Sequence, residues 1–168
     1  MATLTEYLID DAVDVVVTVD IEVEKIDGVV FTPLIASTPC VYCPAGHRLL
    51  EMETVTLDDL AGESILGAYG FAHGGALSRT GQYLENEGFP VESLVRYPDG
   101  DTVFLAVSTG AGVFVASHLC DAFAARFGVE SVDLRANLPQ VTMGLAFRNA
   151  SLLVEIFTDA ARSALRGR

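Results

Sequence analysis

The sequence predicts an α/β fold, and three observations carry that reading. β-branched apolar runs, such as residues 14–20 and 141–147, alternate along the chain with helical patterns, such as residues 76–87 and 152–166. Glycines and prolines punctuate the boundaries between them. Apolar residues make up 51% of the 168 positions and charged residues 20%, a composition that can bury a core and argues against disorder.

Each element follows from its local pattern. Leu4 and Leu8, with Tyr7 or Ile9, share one helical face, which predicts a short helix to about Val13. Residues 14–20 are apolar throughout their middle, the pattern of a strand covered on both faces. Residues 21–27 are acidic and read as loop. Residues 29–36 and 40–43 are extended segments broken by Pro33, Pro39 and Pro44. Proline cannot donate to a central ladder, so both read as edge or crossover strands. Thr56 followed by Asp58 and Asp59 predicts a capped single turn. Residues 64–66 read as a strand, 67–75 as a Gly-rich loop, and 76–87 as a helix stopped at Gly88. Residues 92–97 read as a strand and 98–100 as a turn, and Asp101-Thr102 is expected to cap a helix over 103–109. A strand at 113–115, a helix at 118–127 closed by Gly128, and strands at 129–134 and 141–147 follow. Ser151 caps a last amphipathic helix, expected to bury Leu152, Leu153, Ile156 and Phe157.

The charge balance narrows the function classes. Ten Lys and Arg stand against 23 Asp and Glu, a formal net charge of −13. Nucleic-acid affinity comes largely from neutralising phosphates with cations, so this chain by itself is not expected to bind DNA or RNA. No apolar run reaches the roughly 20 residues of a membrane helix, and no membrane partner is expected. The first residues show no basic segment followed by an apolar one, so a secretory signal is not expected. Three cysteines are too few for a disulfide framework, and a reducing cytoplasm is the default.

Few residues point to chemistry. Cys40-Val41-Tyr42-Cys43 is a C-x-x-C, but it sits in a strand pattern, where positions three apart face opposite sides. A redox role needs a helix N-terminus and a zinc site a second C-x-x-C, so the thiols read as structural. Gly110-Ala111-Gly112 lacks the order of a dinucleotide fingerprint: it follows a helix and precedes a strand. Gly110 then ends the helix and Gly112 permits a tight turn. His47, His73 and His118 show no carboxylate at metal-ligand spacing, and Ser117-His118 are neighbours that rarely oppose each other. Catalysis, a metal and a cofactor are therefore not expected. The loop at 67–75 is the most informative stretch. It follows a strand and precedes a helix N-terminus, where backbone N–H groups favour an anion, and Tyr69 and Phe71 can wall a pocket. The plain alternative is a surface loop.

Five motifs in order resemble the effector-binding (regulatory) domain of LysR-type transcriptional regulators. They are the helix and strand over residues 8–17, the strand and turn over 40–49, Val55 to Gly62 with its Asp59-Leu60, the Gly110-Ala111-Gly112 run after Val107, and Leu145-Ala146-Phe147-Arg148 before the last helix. Arg48 departs from the family's proline, and Ala116 or Ser117 stands where another proline often ends the strand. The resemblance starts at the family's second helix. The winged helix-turn-helix and the first strand, helix and second strand of the effector domain are expected to lie outside this chain.

The resemblance implies a two-lobed, type 2 periplasmic-binding-protein-like fold, each lobe a mixed sheet flanked by helices, with lobe I incomplete. Lobe I would be residues 1–36 plus 142–168 and lobe II residues 37–141, hinged near Ala36-Ser37 and Val141-Thr142. It implies a small-molecule effector, a carboxylate or other anion, held between the lobes by Thr18, Ile35, Ala68, Tyr69, Gly70, Phe71, Thr102 and Met143. It further implies a homodimer or tetramer that meets DNA only through the helix-turn-helix, and no enzymatic turnover. Two readings compete. A solute-binding protein of the same fold, stand-alone or serving a transporter, would need an export signal. A thiol or Ser/His hydrolase would need a depressed pKa at Cys40 or Cys43, or a base beside Ser117.

Overall fold

Residues 40–43 of the strand Pro39–Pro44 are all fully buried, which an edge strand could not achieve. The computed structural model describes residues 4–23, 26–68, 95–136, 138 and 140–166. In chain order its elements are α1 (Leu4–Ile9), β1 (Val16–Val19), α2 (Asp20–Val23), β2 (Val30–Ser37), β3 (Pro39–Pro44), β4 (Thr54–Val55), β5 (Ile65–Ala68) and β6 (Val95–Tyr97). They continue with α3 (Gly100–Ser108), β7 (Val113–Ser117), α4 (Asp121–Ala124), β8 (Val129–Leu134), β9 (Val141–Phe147) and α5 (Leu152–Arg166). The chain divides into two compact units, Met1–Ala36 with Thr142–Arg168, and Ser37–Val141.

The Ser37–Val141 unit is built on a six-stranded mixed sheet in the order β4-β8-β3-β7-β5-β6. β3 runs antiparallel to both β7 and β8, whereas β5 is parallel to β6 and β7. β3 thus lies inside the sheet and not at its edge. Its prolines fall on its two terminal positions, Pro39 opposite Ser117 and Pro44 opposite Val129, where a missing N–H leaves the central rungs intact. Alternation splits the strand between two cores. Cys40 and Tyr42 face α3, with Val103, Phe104, Val107 and Phe114. Val41 and Cys43 face the opposite side, with Leu49, Val55, Leu60, Val115 and Val132. The two cysteines of the C-x-x-C therefore point apart, as the strand period requires.

Local chemistry fixes the joints. Asp99 caps α3, its carboxylate accepting from the Thr102 N–H at 2.8 Å, so the helix begins three residues earlier than an Asp101-Thr102 cap would place it. At the turn over residues 56–60, Asp59 accepts from both the N–H and the hydroxyl of Thr56, so Thr56 donates to the acid where an N-cap would accept. Arg48, in the family's proline position, pairs with Glu63 at 2.7 Å and donates to the Asp59 carbonyl at 2.6 Å. Gly110 ends α3 with φ 80°. Gly112 has a different reason from a tight turn: a Cβ there would run into the Ser64 carbonyl oxygen. The expected helix over 118–127 forms as α4 flanked by two 3-10 turns, and Gly128 closes it at φ 68°.

The other unit holds a three-stranded sheet, β1-β9-β2. Val16 pairs with Ala146 and Thr18 with Gly144 in an antiparallel ladder. Leu8, Val16, Val23 and Ala146 form its small core. Three expectations fail here. β1 is not covered on both faces: it ends its sheet, and Val17 is 48% exposed. Residues 20–23 form a helical turn, α2, where the pattern predicts the end of a strand at residue 20 and an acidic loop over 21–27, because Val23 is drawn into the core. α5 is capped by Ser151 as expected, but Leu152, Leu153, Ile156 and Phe157 are exposed, and Val154 and Thr158 are its buried residues. Periodicity shows that a helix has an apolar face; it does not show that the same chain covers that face.

The aromatic core of the Ser37–Val141 unit sets a first prediction. Phe104 lies 5.2 Å from Tyr42, 5.5 Å from Phe114 and 5.4 Å from Phe123, ring centre to ring centre. Phe104→Ala is expected to lower unfolding stability by about 3–5 kcal/mol. Leu105→Ala, on the exposed side of the same helix, should change it by about 0.5 kcal/mol or less. Urea unfolding followed by circular dichroism checks both, and equal losses would refute this placement of the core.

Candidate functional site

Five of the eight expected effector positions lie on described residues; Tyr69, Gly70 and Phe71, with the helix expected at 76–87, lie outside them. Thr18 is buried on β1, opposite Gly144 of β9. Met143 is half-buried and opposite Val19, one rung further along the same ladder. The ladder brings these two backbones together, but the pleat sends their side chains to opposite faces of the sheet. Ile35, on β2, is half-buried.

Ala68 and Thr102 belong to the second unit. Ala68 is the last residue of β5 and pairs with Tyr97, the last residue of the parallel strand β6. α3 starts three residues after Tyr97 and carries Thr102 in its first turn. Both positions therefore sit at the carboxyl end of a parallel strand pair, where open α/β sheets bind ligands. Asp99 already takes two donors there. Its carboxylate accepts from the Thr102 N–H at 2.8 Å and from the Thr102 hydroxyl at 2.7 Å. Those two bonds hold the Asp99 carboxyl below the usual carboxylate range. Thr102 is left offering lone pairs, not a proton.

Sequence reading missed a second constellation. It found no carboxylate at ligand spacing from the histidines, yet His118 sits between two. Its Nδ1 is 2.9 Å from Asp121 Oδ2 and its Nε2 is 2.8 Å from Asp133 Oδ1. Carboxylate oxygens only accept, so two carboxylates on the two ring nitrogens favour the doubly protonated ring. The i, i+3 spacing of His118 and Asp121 was legible. Asp133 was not, because only the pairing of β3 with β8 sets it opposite Cys40. The Tyr42 hydroxyl reaches Asp121 Oδ1 at 2.7 Å and the Ser117 carbonyl at 2.9 Å, and the Ser131 hydroxyl donates to Asp121 Oδ1 at 3.1 Å.

The thiols are not activated. Burial pushes Cys43 up to about 12 and raises Cys40 and Cys120 as well, the reverse of what a nucleophile needs. For His118, burial alone would lower the pKa, but the hydrogen bonds and charges of Asp121 and Asp133 outweigh it and the net shift is upward. The stability this ring contributes is therefore complete below the ordinary histidine value of about 6.5, and is lost as pH rises through the raised value. In chelator-treated buffer, the urea midpoint should fall across that interval. His118→Gln should flatten that slope.

Comparisons with known proteins agree with this architecture. The family profile described as the LysR substrate binding domain matches residues 1–166. Full-length BenM (E226K mutant) superposes with a TM-score of 0.74 at 18% identity, over 98% of this chain and 55% of that one. The effector binding domain of QuiR, in complex with shikimate, gives a TM-score of 0.75 at 16% identity, over 98% of this chain and 78% of that one. A reduced form of OxyR from N. meningitidis gives 0.71 at 19% identity, over 95% and 74%. At these identities the superpositions speak for the fold, which is the type 2 periplasmic-binding-protein-like fold of such domains. No curated protein sequence matches significantly. The chain spans just over half the length of the full-length regulator and about three quarters of the regulatory-domain chains. With all but the last two residues inside the family match, this chain belongs to the LysR substrate binding domain family.

Proposed function

We propose that this chain senses a small molecule on behalf of a LysR-type transcriptional regulator. Its two lobes are residues 1–36 plus 142–168 and residues 37–141, and effector binding alters how the whole regulator holds DNA. The family match over residues 1–166 carries this reading. QuiR, which shares the fold, was captured with shikimate, a precedent for a small organic effector. On this reading Thr18, Ile35 and Met143 contribute from one unit, and residues 68–71 with Thr102 from the other. DNA contact belongs to a helix-turn-helix carried by the full-length protein, which works in the cytoplasm as a dimer or tetramer. The chain acts by binding, without turnover. Among the described residues, no helix is long and apolar enough to cross a membrane.

A thermal-shift screen tests the proposal. The panel should hold short aliphatic and aromatic carboxylates, hydroxylated carboxylates, amino acids and simple anions. A ligand at 100 times its Kd stabilises a fold by about 2.7 kcal/mol, a rise of about 5–10 °C for a chain of this size. The shift should shrink at least by half in both Thr18→Val and Thr102→Val. A hit that survives both substitutions unchanged would place the ligand elsewhere and sink the proposed site.

A further inference from the structure

We propose that Cys40, His118 and Asp121 form a binding site for a divalent transition-metal ion, with Zn2+ the best match to their sulfur, nitrogen and oxygen donors. One ligand atom from each of the three lies within 4.8 Å of the others. Tetrahedral Zn2+ holds sulfur at about 2.3 Å and nitrogen or oxygen at about 2.0–2.2 Å, so its ligands stand roughly 3.3–3.8 Å apart. His118 Nδ1 and Asp121 Oδ2, 2.9 Å apart, would part slightly to admit the ion, and the Cys40 sulfur would close on them from within the 4.8 Å limit. The fourth position falls to water.

The surrounding shell is what distinguishes this cluster from a chance meeting of polar side chains. Cys40 pairs with Asp133 across β3 and β8, and Tyr42 with Ser131, so all four side chains project from one face of the sheet. The turn that follows β7 lays His118 and Asp121 over that face. Asp133 accepts from His118 Nε2 at 2.8 Å, which turns Nδ1 toward Asp121 and makes it the ligating nitrogen. A carboxylate behind a histidine is the usual partner of a metal-bound imidazole, orienting the ring and raising its basicity. Asp121 is held likewise: Oδ1 accepts from Tyr42 and Ser131, and Oδ2 is directed to the histidine. The His118 N–H also donates to the Thr38 carbonyl at 3.3 Å, which ties the site to the segment entering β3.

The charges balance. Binding displaces one proton from the Cys40 thiol and one from His118 Nδ1, both released to solvent. The ion's two positive charges are then met by the Cys40 thiolate and the Asp121 carboxylate. The neutral His118 keeps its Nε2 proton on Asp133. Without metal, the ring's second proton, the one on Nδ1, fills the same place between His118 and Asp121.

Zinc chloride and cobalt chloride, added separately to the full chain after chelator treatment, test this. One ion per chain should bind, the melting temperature should rise, and the cobalt complex should show the charge-transfer absorption of a thiolate ligand and the visible bands of tetrahedral geometry. Asp133→Asn, at an exposed position, should raise the Kd about 10- to 100-fold while the protein stays folded. Cys40→Ser should abolish the thiolate band. His47→Gln, beside Glu63 and away from these ligands, should leave the Kd unchanged. Failure to bind one equivalent, a cobalt spectrum without the thiolate band, or an affinity indifferent to Asp133→Asn would each overturn the proposal. The His118 cluster would then be an ion-pair knot and nothing more.

Discussion

Every side chain from Cys40 to Cys43 is fully buried, and the two faces of the six-stranded sheet take them alternately. Much of the larger unit depends on that constraint. A strand buried on both faces must have cover on both, so α3 with the turns at 118–127 packs over one side and the segment from Leu49 to Leu60 over the other. β3 is also the strand against which β7 and β8 register. A slip of one residue would exchange Cys40 and Tyr42 with Val41 and Cys43 and break both cores at once.

Tyr42 joins this packing to the polar chemistry beside it. Its ring stacks on Phe114 and meets Phe104 edge-on, while its hydroxyl leaves the core to reach Asp121 and the Ser117 carbonyl. The hydroxyl has one proton for two acceptors, and the shorter distance is to the carboxylate. Asp121 is thereby fixed from the interior although it is itself half exposed, and His118 is fixed by Asp121 and Asp133 in turn. An aromatic core residue thus sets the position of a half-buried histidine ring two steps away.

What was legible in the sequence follows from which interactions are local. β8 and β9 have the bounds their alternation suggested, and the Ser151 cap lies where a hydroxyl precedes an apolar-periodic run. The failures share one cause. Whether Pro39 and Pro44 demote β3, whether Leu152 and Phe157 go inside, and whether an acidic stretch at 20–23 turns helical are all decided by surfaces distant in sequence. The cap of α3 is an exception. Asp99 and Asp101 offer the same chemistry two residues apart, and local pattern could not choose between them. For Thr102, a place near the start of a helix could be marked from pattern, but its commitment to Asp99 could not. His118 hides for the same reason as β3: its second carboxylate is a neighbour only through the sheet.

Thr102 and Asp99 bear on what kind of effector the proposed site accepts. No Arg or Lys stands among the candidate positions. At the start of α3, Asp99 already occupies the place an anionic ligand would take, holding the Thr102 N–H and hydroxyl. A carboxylate approaching there must displace Asp99 or meet its charge, and neither is favourable in a chain of net charge −13. Hydroxyl or amide donors on the effector would instead find lone pairs on Thr102 and on the Asp99 carboxylate. On the proposed reading, then, this corner recognises the neutral, hydrogen-donating part of a ligand. Any carboxylate the ligand carries must be met by backbone N–H groups elsewhere in the site.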